Sequence, residues 1–593
     1  MDRHAVANAL EEIAALLDLK GENAFKVCAF QNAARTVETL PGDLAEAVAS
    51  GNLAKVKGIG PATLEVVREC LATGRSSTLD ALRVEVPDGL VRMLRISGMG
   101  SAKIRTVREQ LGITTLEELE AAARDGRLAA LPRFGEKTAA KILKGLEFLQ
   151  RSTGYRLVHH ADHQAGALRA ALAALAGVTR ADVAGDLRRR CEVIPVFDLV
   201  AVVAATRGDG GSFSGTAPAT FADAMVRSGA AAAVEAADAA GFRVRLDDGA
   251  SASVTCAPPE RFGHALAWAT GSDAHLALLR QRAAELGFAV DERGLRRAGG
   301  AAGGAAASRG DVPCPDEEAF YAAIDLAWIS PELREGGDEV ARAAAGTLPR
   351  LVERRDLRGL LHCHTTFSDG TNSVAELAEA CRALGYAWLG ITDHSEAAAY
   401  AGGLSAERVA QQHAEIDAWN RASPNLRIFK GIEADILADG RLDYGPDVLD
   451  RFDFVIGSVH SRFDLDERAM TDRVLRAMED PHLTILGHPT GRLLLTRDPY
   501  PIDMKRVIAR AAELGVAIEI NADPQRLDLD WRLCREARDA GVAISISPDA
   551  HSLAGLANVD LGVGIARKGW LAAEDILNTK DPEGFAAYAK RRR

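Results

Sequence analysis

Two imidazoles and a carboxylate fall close together in Leu360-Leu361-His362-Cys363-His364-Thr365-Thr366-Phe367-Ser368-Asp369-Gly370, directly after an apolar run. If that run is a strand, residues two apart face the same side, and His362 and His364 project together from its end. Asp369 then lies in the following loop, so all three could grip one metal ion. A lone His-x-His is weak evidence, because short motifs match by chance. The pattern recurs, however, in Trp388 to His394, Phe429 to Glu433, Phe454 to His460, Ile485 to His488 and Ile544 to His551, each a short apolar run that stops at His, Glu or Asp. With Val516 to Asn521, which carries Glu519, seven strands are expected. Helical stretches lie between them, a pattern that predicts a parallel βα barrel with its chemistry at the C-terminal strand ends.

On these residues, the segment from about 357 to 575 resembles a polymerase and histidinol phosphatase (PHP) domain, a metal-dependent phosphoesterase with a distorted seven-stranded βα barrel. The resemblance implies metal ligation by His362, His364, Asp369, His394, Glu433, His460, His488, Asp549 and His551. It also implies up to three divalent ions, manganese or zinc, and a ligand set of nitrogen and oxygen without thiolate suits either. Arg492 and Arg526, each in a loop after a ligand strand, are candidate phosphate clamps or surface ion pairs.

Those elements belong to a longer chain. Its 593 residues are enough for three or four domains. The net charge of −12 argues against a nucleic-acid partner only if the acid is spread evenly. It is not, because the first 150 residues balance their charges and the remainder holds the excess. The eight cysteines are scattered without a Cys-x-x-Cys pair and read as reduced thiols. The N-terminus opens an amphipathic helix without an apolar signal core, and no long apolar run occurs, so a cytoplasmic protein without membrane contact is expected.

Val6, Leu10, Ile13 and Leu17 recur at helical spacing, and a second helix is predicted from Phe25 to Arg35. Three glycine hairpins follow, each between helical runs: Lys57-Gly58-Ile59-Gly60, Gly98-Met99-Gly100 before Lys103, and Phe134-Gly135-Glu136-Lys137. Glycines that bring backbone N–H groups to a helix start make a phosphate seat and grip DNA without reading sequence. These turns resemble helix-hairpin-helix motifs, and Lys57, Lys103, Lys137 and Lys141 stand where they would add charge. The second helix resembles the opening of the small N-terminal domain of family X DNA polymerases, with Cys28 and Phe30 where a basic residue and a tyrosine are expected.

Residues 155 to 300 resemble the nucleotidyltransferase palm of the same family. Gly185-Asp186-Leu187-Arg188-Arg189 is similar to its triphosphate-gripping turn, and Thr270-Gly271-Ser272 to its sugar-contacting segment. The family's two magnesium ions require Asp-x-Asp on one strand and a third Asp on its neighbour. Here only Asp198 remains: Val196 takes the first position, the third falls near Ser253, and Asp186 places negative charge where a triphosphate should sit. Asp247 or Asp248 could replace a ligand only if they are not a hairpin turn.

The expected organisation is an N-terminal helical domain at 1–80, a hairpin-rich helical domain at 81–152, a degenerate α+β palm and thumb at 153–297, a flexible loop and connector at 298–356, the barrel at 357–575 and a C-terminal tail at 576–593. The resemblance implies a bacterial family X polymerase homologue acting mainly as a metal-dependent 3′→5′ exonuclease on gapped or 3′-recessed DNA, as a monomer, with polymerase activity weak or lost. An active polymerase, a non-catalytic DNA-binding scaffold and a histidinol-phosphatase-like enzyme remain as alternatives.

Overall fold

A computed structural model describes residues 3–592 apart from 41–42, 97, 204, 208–212, 216 and 299–310. The chain divides into two compact units, Met1–Thr153 with Leu495–Arg497, and Gly154–Leu494 with Asp498–Arg593.

The first unit is helical. Helices Arg3–Lys20 and Ala24–Thr39 pack together, the second started by the Asn23 side chain, which accepts from the Phe25 N–H at 2.9 Å. Val6, Leu10, Ile13 and Leu17 are all buried in the core that the helices share. The three glycine turns lead into helices Pro61–Thr73, Ser101–Leu111 and Gly135–Ser152. Gly58, Gly98 and Gly135 have φ of 102°, 86° and 64°, a region costly for any residue with a Cβ. Gly60 and Gly100 cap their helices without a side-chain hydrogen bond, which leaves first-turn amides available to an anion.

The second unit opens on a five-stranded sheet in the order Val178–Val183, Phe197–Val203, Ser251–Ala257, Gly241–Arg245, Ala233–Ala237. Phe197–Val203 and Ser251–Ala257 run parallel, and their register sets Asp198 beside Ser253. Next, helices Phe262–Thr270 and Asp273–Glu285 share a core with Glu317–Ala323 and Glu339–Ala345, through Ala267, Leu276, Leu279, Phe320, Tyr321 and Val340. Residues expected to be a connector therefore fold back onto the helices that precede the low-complexity stretch. The expected flexible loop at 298–310 lies, from 299 on, outside the described residues.

Seven parallel strands follow in sequential order: Gly359–Cys363, Trp388–Ile391, Arg427–Asp435, Phe454–Ser458, Leu483–Leu486, Ala517–Asn521 and Ile544–Ser547. The last meets the first where the His364 N–H donates to the Ala550 carbonyl at 2.9 Å and the Ala550 N–H to that of His362 at 3.2 Å. Strands buried on both faces explain the continuous apolar runs. Opposite the polar ends, Trp388, Phe429, Phe454 and Phe585 fill the barrel base, with the Trp388 and Phe585 rings stacked at 4.4 Å. Phe585 comes from the helix Pro582–Lys590, so the segment expected to be a tail is a plug in the barrel core. Among the described residues, no helix is long and apolar enough to cross a membrane, and the eight cysteines are free thiols.

Candidate metal centre

The barrel's strand ends bring the predicted ligands together. His364, Asp369, His394 and His551 form one group, His362, His364 and Asp549 a second, His362, Glu433 and His488 a third, and His394, Glu433 and His460 a fourth, with the ligand atoms of each group within 4.8 Å of one another. Glu433, at the end of an apolar strand and 1% exposed, is the hub. Its carboxylate lies 2.9 Å from His394 Nδ1, 3.0 Å from His488 Nε2, 3.2 Å from His460 Nε2 and 3.4 Å from His362 Nε2. Asp549 lies 3.2 Å from His364 Nε2, and Asp369 lies 3.4 Å from His551 Nε2. His362, His488 and Asp549 have φ of 59°, 21° and 50°, backbone conformations that cost energy in L residues and that turn these side chains into the site.

The donor set fits divalent cations. Both ring nitrogens of the buried His364, Nε2 of His362 and Nδ1 of His394 and His488 have no hydrogen-bond partner. Buried polar atoms are rarely left unpaired, and imidazole lone pairs beside shared carboxylates are what a metal requires. Burial, reinforced by His551 and His394, pushes His364 down to about 3, so it stays a neutral donor. Burial alone would raise Asp369, yet the hydrogen bond from His551 and the nearby imidazoles hold it at about 2. Burial would likewise lower His460, but Glu433 and Asp435 raise it to about 10, so the site already favours positive charge there.

Residues without a predicted role orient these donors. Glu519 Oε1 lies 2.6 Å from His362 Nδ1, and its other oxygen accepts from the His488 N–H at 2.7 Å. Asp435 lies 2.6 Å from His460 Nδ1. In each case the outer nitrogen is tied to a carboxylate, and Nε2 faces the cluster. Buried Asp393 accepts from the Thr365 N–H and hydroxyl at 2.8 and 2.7 Å and so shapes the loop before Asp369. Only position gave a signal for Glu519 and Asp435, the first a carboxylate in the middle of the strand Ala517–Asn521 and the second the last residue of Arg427–Asp435. Arg526 approaches Asp549, Nε to Oδ2 at 3.6 Å. Arg492 instead donates to Asp530 at 2.7 Å, to Glu192 at 3.3 Å and to the Arg526 and Leu527 carbonyls, so its guanidinium is taken up inside the fold.

The palm-like sheet is arranged differently. Asp198 has Ser253 as its parallel neighbour, and the next strand sets Arg243 against Ser253. Burial, with Asp186 nearby, raises the Asp198 carboxyl to about 6. A Cβ on Gly185 would lie 2.2 Å from Asp198 Oδ2, so the turn sits directly on this carboxylate. Arg188 grips Glu317 with two hydrogen bonds of 2.6 and 2.7 Å. Arg189 donates to Glu335 at 2.9 Å, to Asp186 and to the Thr270 carbonyl at 2.7 Å. Glu335 also takes the buried Lys568 ammonium. Gly271 is packed against His275 and Leu276. Asp248 caps a hairpin turn, bonded to Gln164 at 2.8 Å and to the Ala250 N–H at 3.0 Å. In the first unit Lys57, Lys137 and Lys141 are exposed at the glycine turns, whereas Lys103 donates to the Gly98 carbonyl at 2.9 Å.

Helical hairpin modules combined with a C-terminal barrel that gathers candidate metal ligands define the class: a modular helix-hairpin-helix protein with a PHP domain. The family models agree, matching a helix-hairpin-helix domain at 1–76, a SAM-like helix-hairpin-helix tandem at 90–147, a DNA polymerase beta thumb at 265–335 and a PHP domain at 361–523. The thumb match encloses the low-complexity stretch. The chain is 35% identical over the full length of both proteins to the DNA polymerase/3′-5′ exonuclease PolX of Bacillus subtilis (strain 168). Part of it is similar to probable phosphatases, at 30% identity over 26% of this chain and 62% of the relative from Caldanaerobacter subterraneus, and at 27% over 39% of this chain and 95% of that from Acetivibrio thermocellus. The chain belongs to the family X DNA polymerases that carry a C-terminal PHP domain, and its hairpin and thumb modules imply DNA binding.

Proposed function

We propose that the chain is a DNA repair enzyme that trims 3′ ends through its barrel, as a 3′→5′ exonuclease or end-processing phosphodiesterase, while its palm has lost templated nucleotide addition. The observation that carries this reading is the contrast between the converged His, Asp and Glu side chains around Glu433 and the palm strands, where Asp198 has Ser253 rather than a second carboxylate as its neighbour. His362, His364, Asp369, His394, Glu433, His460, His488, Asp549 and His551 would hold up to three divalent ions, manganese or zinc. Such ions supply Lewis-acid activation of water and neutralise charge on a reacting phosphoryl group.

The chain's own residues do the rest. Glu519 and Asp435 keep the Nε2 lone pairs of His362 and His460 turned inward. Arg526, held beside Asp549, is positioned to meet a phosphate oxygen. The glycine turns, with Lys57, Lys137 and Lys141, grip the DNA backbone; gapped or 3′-recessed duplex is the proposed substrate, taken by a monomer in the cytoplasm. In the palm, Arg188 and Arg189 are neutralised by Glu317, Glu335 and Asp186, and Arg243 faces Ser253, the position at which a metal would need a carboxylate.

Likeness of part of the chain to probable phosphatases supports a small-molecule monoesterase as the second reading. Turnover of 3′-recessed DNA and of p-nitrophenyl phosphate by the full chain in manganese separates the two. The nuclease reading predicts DNA shortening at the higher kcat/KM, and hydrolysis of the monoester alone refutes it.

A further inference from the structure

One large aromatic side chain stands at the cluster without a packing role. Tyr400 is 74% exposed, yet its ring centroid lies 6.3 Å from that of His394 and 6.4 Å from that of His460. The loop that carries it is pinned at both ends. The Ser395 N–H donates to the Glu433 carbonyl at 3.0 Å and the Leu404 N–H to the His394 carbonyl at 2.9 Å. Between them, the Ala397 N–H donates to Asp443 at 2.7 Å. A Cβ on Gly403 would sit 1.9 Å from the Ser395 carbonyl oxygen, and Gly402 has a φ of 70°, so the tight return of the loop needs both glycines. Arg408 fixes it further by donating to the Gly402 carbonyl at 3.0 Å and to the Phe367 carbonyl.

A rigid loop that leaves an aromatic ring largely in solvent gains little from burying it. A flat ring beside a phosphodiester-cutting site is, however, a stacking surface that every nucleobase can use. Arg526 reaches the cluster at Asp549, whereas Tyr400 stands beside His394 and His460. Base and phosphate would thus be held by separate groups.

We propose that Tyr400 is the stacking platform for the base of the 3′-terminal nucleotide, so that the barrel selects an unpaired, base-bearing DNA end over a small phosphoester. This inference rests on the 3′-exonuclease reading above and adds its specificity-determining residue.

The test compares kcat/KM of the full-length chain in manganese on two single-stranded oligonucleotides, identical except that one ends in an abasic nucleotide. The wild type is expected to prefer the base-bearing end. Tyr400→Ala should lower that preference about 5- to 100-fold, the range of one base–aromatic stack, chiefly through KM, while Tyr400→Phe and Tyr400→Trp retain it. With EDTA present, irradiation of wild-type chain bound to an oligonucleotide ending in 5-iodo-deoxyuridine should crosslink Tyr400, as mapped by mass spectrometry. Cutting with an unchanged preference in Tyr400→Ala, or a crosslink mapped elsewhere, overturns the stacking role alone. A wild-type chain that cuts neither oligonucleotide overturns the exonuclease reading and this inference with it.

Discussion

Barrel and palm arrange their charged side chains in two different ways within one chain. In the barrel, three carboxylates and six imidazoles face one another with ring nitrogens left unpaired. The palm keeps its sheet and the turn over Asp198, but the groups around that carboxylate are satisfied internally, Arg188 by Glu317, Arg189 by Glu335 and Asp186. Unpaired buried donors wait for a ligand, whereas paired ones have become structure. Charge and hydrogen bonding thus distinguish a region with open donors from one whose charged groups are paired internally.

The sharpest break in this contrast is His364→Ala. Losing that donor should lower DNA shortening by more than about 10³-fold, the equivalent of several kcal/mol of Lewis-acid stabilisation, and reduce the metal content found by elemental analysis. Glu519→Gln tests the orienting shell and should weaken metal affinity about 10- to 100-fold in a competition titration with a chromophoric chelator.

In the palm, the expected effects are on stability. Glu317→Gln leaves Arg188 and the fully buried Arg334 without their shared carboxylate. Removing one partner of a buried pair costs about 3–5 kcal/mol, read as a lower denaturation midpoint of the second unit. Burial would raise Glu317, but the two arginines hold it at about 2, against an ordinary value near 4.5. The stability it confers is therefore present above pH 4.5 and lost as the pH falls towards 2, a loss that Glu317→Gln should not show.

The smallest effect has the opposite sign. Because burial holds Asp198 at about 6, folding is favoured below its unfolded value near 3.8, and that advantage is lost as the pH rises through 6. Asp198→Asn should therefore stabilise the chain by about 1–3 kcal/mol above pH 7 and not at all below pH 4, in paired denaturant melts. A gain that is independent of pH would mean that Asp198 is not buried as a charge.

Much of the barrel could be read in the chain because each apolar strand ends on a chemically distinctive residue, and because parallel strands covered on both faces leave continuous apolar runs. Glu519 and Asp435 were harder to assign, since a carboxylate on a barrel strand looks the same whether it holds a metal or turns a histidine. The partners of Arg188 and Arg189 were invisible: Glu317 and Glu335 are 129 and 146 residues away, and no local pattern pairs them. Arg492 followed a ligand strand as Arg526 does, yet only three-dimensional packing sends one to Asp530 and Glu192 and the other to Asp549. Phe585 and Tyr588 fall in the segment expected to be a C-terminal tail, and only the open base of the barrel makes them a plug.

The division of labour is tested most directly by incubating an end-labelled gapped duplex with the full-length chain and manganese, with and without deoxynucleoside triphosphates. Our account predicts a ladder of shortened primers in both lanes, abolished by His364→Ala, and no product longer than the starting primer. Extension that disappears in Asp198→Ala and persists in His364→Ala would contradict it.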